Sequence, residues 1–280
     1  MAKKTYPVVC GSQLGATTEN TTLRILQADE ELSKLNRRLY RMGRFYELKI
    51  DMEPGNVGTY EVYALRNDWG VQKAYQLAYE HYRKNTADER NSLGSQNIAR
   101  WEDFRVEVGA SGNSLFATLR TPAAAEVILT AGEFALANVV DSSNVKRTFT
   151  WGTPSASQYG ILQEYDKTGN AQGSPSSFTA DGAYEELDTE INAATYDDLQ
   201  LDNNLPPYDQ GGVNSGSPFV KVGHLGSGAA GDQRLSTGYF TAPCGIVLIV
   251  GPGTDWNSGN MHFTVKKGNY KGVHAPSMLE

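Results

Sequence analysis

Residues 43–68, GRFYELKIDMEPGNVGTYEVYALRND, alternate apolar and polar side chains on both sides of a turn rich in Pro and Gly. Tyr46, Leu48, Ile50 and Met52 fall on one face, and Glu47, Lys49 and Asp51 on the other. That is the period of a half-buried strand. The segment EPGNVG reverses the chain. Tyr60, Val62 and Ala64 then form an apolar face opposite Glu61, Tyr63 and Leu65, which predicts the partner strand.

The period changes at Asp68. Its carboxylate is placed to accept from the free N–H groups of a first helical turn. Val71, Ala74, Tyr75, Ala78 and Tyr82 follow at spacings of three and four, so one stripe is apolar while Lys73, Glu80, Arg83 and Lys84 point away. The helical region, about 68–93, ends near Gly94.

Elsewhere the chain reads as short strands punctuated by Gly, Pro, Asn and Ser. They are WEDFRVEV (101–108), NSLFATL, FALANVV, VKRTFTW, PFVKVGHL, STGYFTA, CGIVLIV and MHFTVKK. The strand–helix–strand rhythm of a parallel sheet is missing, so the expected fold is mainly β, an antiparallel sandwich. Two further helices are expected. One runs through LRILQADEELSKL with Thr22 as its cap, and the other begins at Thr121-Pro122 and stops at Gly132. Residues 152–217 read as long loops. The domain reading is an N-terminal arm and short helix over 1–36, then a sandwich over 37–280 carrying the helical insertion.

The chain has 280 residues, 29 glycines, 15 tyrosines and a net charge of −7. This suits one β-rich globular domain. The longest apolar run, GIVLIV at 245–250, has strand length, well short of the roughly 20 residues that span a bilayer. No membrane partner is expected, and the basic start lacks the apolar stretch of a signal peptide. Cys10 and Cys244 do not make a disulfide framework and read as buried free thiols.

Sites of chemistry are sparse. GSGAAG at 226–231 matches a dinucleotide-binding spacing, but Gly238 and Pro243 leave no room for the helix that would hold a pyrophosphate, so it reads as a surface loop. His81, His224, His262 and His274 are scattered without metal-ligand spacing. Between 168 and 220 there are no Lys or Arg, but nine acids: Asp181, Glu185, Glu186, Asp188, Glu190, Asp197, Asp198, Asp202 and Asp209. Neighbouring carboxylates on a strand face opposite ways, so the segment reads as a solvated acidic loop. No catalytic residue, cofactor or metal ligand is assigned. Two rival readings are a lectin-like sandwich holding sugar through Tyr208, Asp255 and Trp256, with or without calcium, and a glycoside hydrolase using two of the acidic carboxylates.

The best binding candidate is basic. Lys34, Arg37, Arg38, Arg41 and Arg44 lie within eleven residues that contain no acid. With Lys3 and Lys4 they can neutralise phosphates, and Tyr40 and Phe45 offer stacking surfaces. At a net charge of −7, any such contact should be local and salt-sensitive.

The block RFYELKIDMEPGNVGTYEVYALRNDWGVQKAYQLAYEHYRKNTADERNSLGSQNIARWEDFRV and the late strand GYFTAPCGIVLIVGPG resemble the capsid proteins of small icosahedral viruses, especially circular single-stranded DNA viruses that encode a replication initiator. The resemblance implies an eight-stranded jelly roll with helices in its loops, self-assembly into a closed homo-oligomeric shell around a genome, a virion location and no enzymatic activity. It maps the interior basic arm onto Lys3, Lys4, Lys34, Arg37, Arg38, Arg41 and Arg44. Here that arm is thin, with Asp29, Glu30 and Glu31 just upstream. Tyr75, Tyr79 and Tyr82 are the expected subunit-interface residues, with packing inside the chain as the alternative.

Overall fold

The computed structural model describes residues 8–15, 22–53, 58–94, 97–99, 101–121, 123, 125–141, 144–170, 217–227, 233–251 and 261–280. The chain opens with β1 (Gly11–Leu14), β2 (Leu23–Gln27), α1 (Ala28–Asn36), β3 (Phe45–Met52) and β4 (Thr59–Leu65). Then come α2 (Trp69–Asn85), α3 (Ala87–Leu93), β5 (Asn113–Ser114), β6 (Ala117–Arg120), β7 (Glu126–Ile128), β8 (Asn138–Val140), β9 (Lys146–Thr150), β10 (Gln158–Gly160) and α4 (Ile161–Asn170). The last part holds β11 (Phe219–Ser227), β12 (Gln233–Arg234), β13 (Phe240–Pro243), β14 (Ile246–Val250), β15 (Met261–Val265), β16 (Lys267–Gly268) and β17 (Gly272–Val273).

The protein is mainly β. One six-stranded sheet has the order β13-β3-β15-β1-β6-β7 and a second has β12-β11-β4-β14-β2-β5. Every pairing in the two is antiparallel except β2 with β5. Their facing side chains make one core: Leu48, Ile50 and Phe263 from the first sheet meet Tyr60, Val62, Val247 and Ile249 from the second. The alternation on β3 is realised residue by residue, with Tyr46, Leu48, Ile50 and Met52 buried. On its other face Lys266 pairs with Glu47 at 2.8 Å and Lys49 with Asp51 at 2.6 Å.

β3 and β4 are not the hydrogen-bonded hairpin the sequence predicts. They lie in opposite sheets, and their apolar faces meet in the same core. The second sheet differs from the first in having a second core on its outer side. Ile246 and Leu248 of β14 point outward against α2, residues 104–108 and the three-stranded sheet β10-β9-β8. α2 lies there as its spacing predicts. Its buried stripe is Val71, Ala74, Tyr75, Ala78 and Tyr82, and Asp68 Oδ1 accepts from the Val71 N–H at 2.8 Å.

Several expectations are corrected. Leu23–Gln27 is a strand, because it pairs along its whole length with β14 and buries Leu26 inward and Ile25 outward; the helix starts only at Ala28. Residues of the expected arm therefore belong to the body, β1 lying between β15 and β6 and β2 between β14 and β5. Residues 101–108 bury Phe104, Val106 and Val108 as predicted, yet form a strap with one bridge, Glu107 to Thr150, rather than a strand. NSLFATL splits into β5 and β6, in different sheets.

The helix expected from Thr121 is a hairpin turn. The Thr121 N–H donates to the Ala125 carbonyl at 2.9 Å, and β-branched Val127 and Ile128 pair with Leu119 and Thr118. FALANVV is strand only over β8. Within the expected long loops, β10 and α4 form because Ile161 and Leu162 bury into the outer core; residues 171–216 lie outside the described set.

Candidate functional site

The basic run leaves α1 as a strap fixed by long-range bonds. Arg37 takes the left-handed conformation (φ 52) and its N–H bonds back to the Ser33 carbonyl, ending the helix. Tyr40 is buried; its N–H donates to Ser33 Oγ at 2.8 Å and its hydroxyl to the Lys271 carbonyl at 2.9 Å. Asp103 holds the next two residues, accepting from the Met42 N–H at 2.8 Å and from Arg41 Nη1 at 3.0 Å. Arg44 lies 3.5 Å over the Tyr270 ring and donates to the Ala275 carbonyl at 2.8 Å. Stacking of this kind suits a guanidinium and not an ammonium.

These placements divide the predicted basic residues. Lys34 is internal: it is ion-paired to Glu30 at 2.9 Å and Glu31 at 2.7 Å, with its side chain 5% exposed. Arg37 and Arg38 are exposed and make no ion pair among the described residues. Lys3 and Lys4 lie outside the described residues. The structure adds Lys271, whose amine is pushed below its ordinary value by burial and then by the positive charges of Arg41 and Arg44.

The predicted tyrosines meet this strap. Gly43 sits against Tyr75, where a Cβ would come 2.9 Å from the ring. Tyr75 is buried, stacked on Trp151 with centroids 6.1 Å apart, and donates its hydroxyl to the Phe104 carbonyl at 3.1 Å. Tyr82 is buried and donates to Glu102 Oε1 at 3.0 Å, while Tyr79 is half-buried against Phe104. The three tyrosines and, of the predicted basic residues, Arg41 and Arg44 line one cavity of about 290 Å³ between the strap, α2 and residues 277–279; Lys34, Arg37 and Arg38 do not reach it.

Four guanidinium groups, from Arg41, Arg44, Arg83 and Arg90, line that cavity beside the carboxylates of Glu102 and Asp103. Arg90 and Glu102 form a two-pronged pair, and Arg41 is matched by Asp103. Arg83 has no ion-pair or hydrogen-bond partner among the described residues. Local sequence held little sign of this. Asp103 is 62 residues from Arg41, and Tyr270 is 229 residues away. The one usable signal was that Arg83 is polar-face and Tyr79 and Tyr82 flank it.

A buried ion pair ties α1 to the strap after α3. Arg105 donates to Asp29 Oδ2 at 2.7 Å, and to Gln27 at 2.9 Å and Glu30 at 3.2 Å. The other Asp29 oxygen has no hydrogen-bond partner, and burial pushes the carboxyl up to about 6 despite Arg105. Asp103 is likewise raised by burial.

Other sequence candidates lie apart. His262 faces Glu53 at 3.0 Å, His274 faces Glu47 at 3.6 Å, and His81 stands edge-on to Tyr159. Among the described residues no three His, Cys, Asp or Glu side chains converge as a metal site. After GSGAAG comes β12, not a helix. Cys244 is buried and Cys10 half-buried, and both are free thiols. The acidic segment from Asp181 to Asp209, with Glu185, Glu186, Asp188, Glu190, Asp197, Asp198 and Asp202, lies outside the described residues, as do Tyr208, Asp255 and Trp256. No family model, curated protein or solved structure matches the chain.

Proposed function

We propose that the chain is a jelly-roll shell subunit, the coat protein of a small icosahedral virus that encloses its genome by self-assembly. The carrying observation is the order of strand pairing. Of the eight strands that form the two central four-stranded layers, the first pairs with the eighth (β1–β15), the second with the seventh (β2–β14), the third with the sixth (β3–β13) and the fourth with the fifth (β4–β11). A long antiparallel ribbon rolled into two layers has this nested pattern, and it distinguishes a jelly roll from a simple meander.

Two further features support assembly. The long excursion between the fourth and fifth strands builds the outer layer over the second sheet, so the sandwich gains a third layer without disturbing the roll. At the far end of the first sheet, β7 is an edge strand exposed at every position, with Val127 at 45% and Ile128 at 56% beside Leu119 at 36%. Past Glu126, which is the one charge on β7, the stretch Val127–Ile128 carries neither charge nor proline, and apolar edges of this kind invite another strand. In this reading the chain is non-enzymatic, its partners are copies of itself, and exposed Arg37 and Arg38 meet genomic nucleic acid.

Val127→Lys tests the edge. It should abolish higher-order species in sedimentation velocity while circular dichroism stays that of the parent. Unchanged assembly would remove β7 from the interface, and a parent that stays monomeric across salt and pH would contradict the shell itself.

A further inference from the structure

We propose that the cavity between the strap at Arg41–Arg44, the later turns of α2 and residues 277–279 is an oxyanion site that takes a phosphate group. It rests on the geometry of the single folded chain and holds whether or not that chain builds a shell. Four guanidinium groups line the cavity against two carboxylates, which leaves two positive charges in excess. A phosphate dianion carries that charge.

The carboxylates are already engaged. Glu102 is closed off by Arg90 and Tyr82, and Asp103 by Arg41 and the Met42 N–H. Arg90 is thereby a fixed wall rather than a donor. Arg44 is held rigid on Tyr270 and uses Nη1 on the Ala275 carbonyl, and no carboxylate balances it among the described residues. Arg83 lines the same space with all of its donors unused.

Arg44 and Arg83 come from two separate segments of the chain, so donors from different elements meet at one volume. Tetrahedral oxyanions accept in that way, whereas a planar carboxylate is satisfied by one fork. Ser277 adds a neutral donor: its Oγ accepts from the Leu279 N–H at 3.1 Å, which leaves its hydrogen to point elsewhere. The Lys271 amine is held down first by burial and then by the charges of Arg41 and Arg44, in line with the positive charge of the strap. A cavity of about 290 Å³ exceeds a phosphate group and has room for the sugar of a nucleotide chain beside it.

The source of the phosphate, free anion or polynucleotide backbone, is separated by two probes on the purified full-length chain at low ionic strength. Titration calorimetry with inorganic phosphate should show saturable binding that acetate at equal ionic strength does not reproduce. Arg83→Gln should weaken it by about ten-fold or more, since one charge-assisted donor is lost. Arg83 has no partner in the fold to lose, so the variant should remain folded. Lys73→Gln, an equal charge change on the exposed face of α2 outside the cavity, should bind as the parent does.

Fluorescence anisotropy with a single-stranded oligonucleotide gives the second arm. The same Arg83→Gln loss there identifies a backbone phosphate as the occupant, while loss confined to inorganic phosphate identifies the free anion. No phosphate affinity above acetate, or Arg83→Gln and Arg44→Gln binding phosphate like the parent, would overturn the site.

Discussion

The two sheets of the sandwich are built from the same kind of chain and differ in what lies outside them. β3 in the first sheet has core on one side and the pairs Glu47–Lys266 and Lys49–Asp51 on the other, so every second residue is polar. β14 in the second has core on both sides, Val247 and Ile249 facing inward and Ile246 and Leu248 outward. It is accordingly apolar without a break. The inserted helices and small sheet have turned an outer face into an interior, and the second sheet is the middle of three layers.

If that is so, the outer core should matter as much as the inner one. Ile246→Ala and Ile249→Ala, both at fully buried positions, should each destabilise by about 2–5 kcal/mol in urea unfolding. An Ile246→Ala loss below about 1 kcal/mol would mean the outer layer is loosely docked. The turn that carries the chain from one sheet to the other comes next. Gly245 has φ 69, and a Cβ there would lie 3.1 Å from the Tyr46 ring. Gly245→Ala should destabilise by about 1–3 kcal/mol, read as a lowered midpoint at unchanged slope.

The buried pair behind the second sheet predicts a pH effect. Asp29 is raised from 3.8 to about 6, so between those values the folded state holds more protons than the unfolded one and stability falls as pH rises. Each such proton contributes a slope of at most about 1.4 kcal/mol per pH unit. Asp29→Asn should flatten the profile in that window, whatever it does to the baseline by unpairing Arg105; an unchanged slope would assign the window to Glu31 and Asp103, which are raised by burial too. Smallest of all should be Lys49→Ala on the wet face of β3. A change beyond about 0.5 kcal/mol in the unfolding midpoint free energy would show that face to be covered after all.

The same contrast explains what the sequence made legible. β3 and α2 each have one dry and one wet side, and β4 keeps Glu61, paired with Lys221, on its outer face, so their periods of two and about 3.6 can be read by eye, down to the Asp68 cap. β2 is read as helix because Leu23–Gln27 has two dry sides and buries even Arg24, so its apolar and polar residues do not alternate with burial. Its partner β14 lies more than two hundred residues on. Residues 117–128 failed for a related reason: Thr121-Pro122 is as good a turn as a helix start, and only the pairing of Leu119 with Val127 decides between them. At the cavity, the local charge of Arg37–Arg44 was plain. Which of those charges stay free depends on Asp103, Tyr270 and Lys271, brought there by the fold.

Electron microscopy of the purified chain tests the shell most directly. Closed particles of uniform diameter, lost in Val127→Lys, are the expected result. A field of isolated molecules over the full range of salt and pH, from protein whose folding is verified by its unfolding transition, would contradict it.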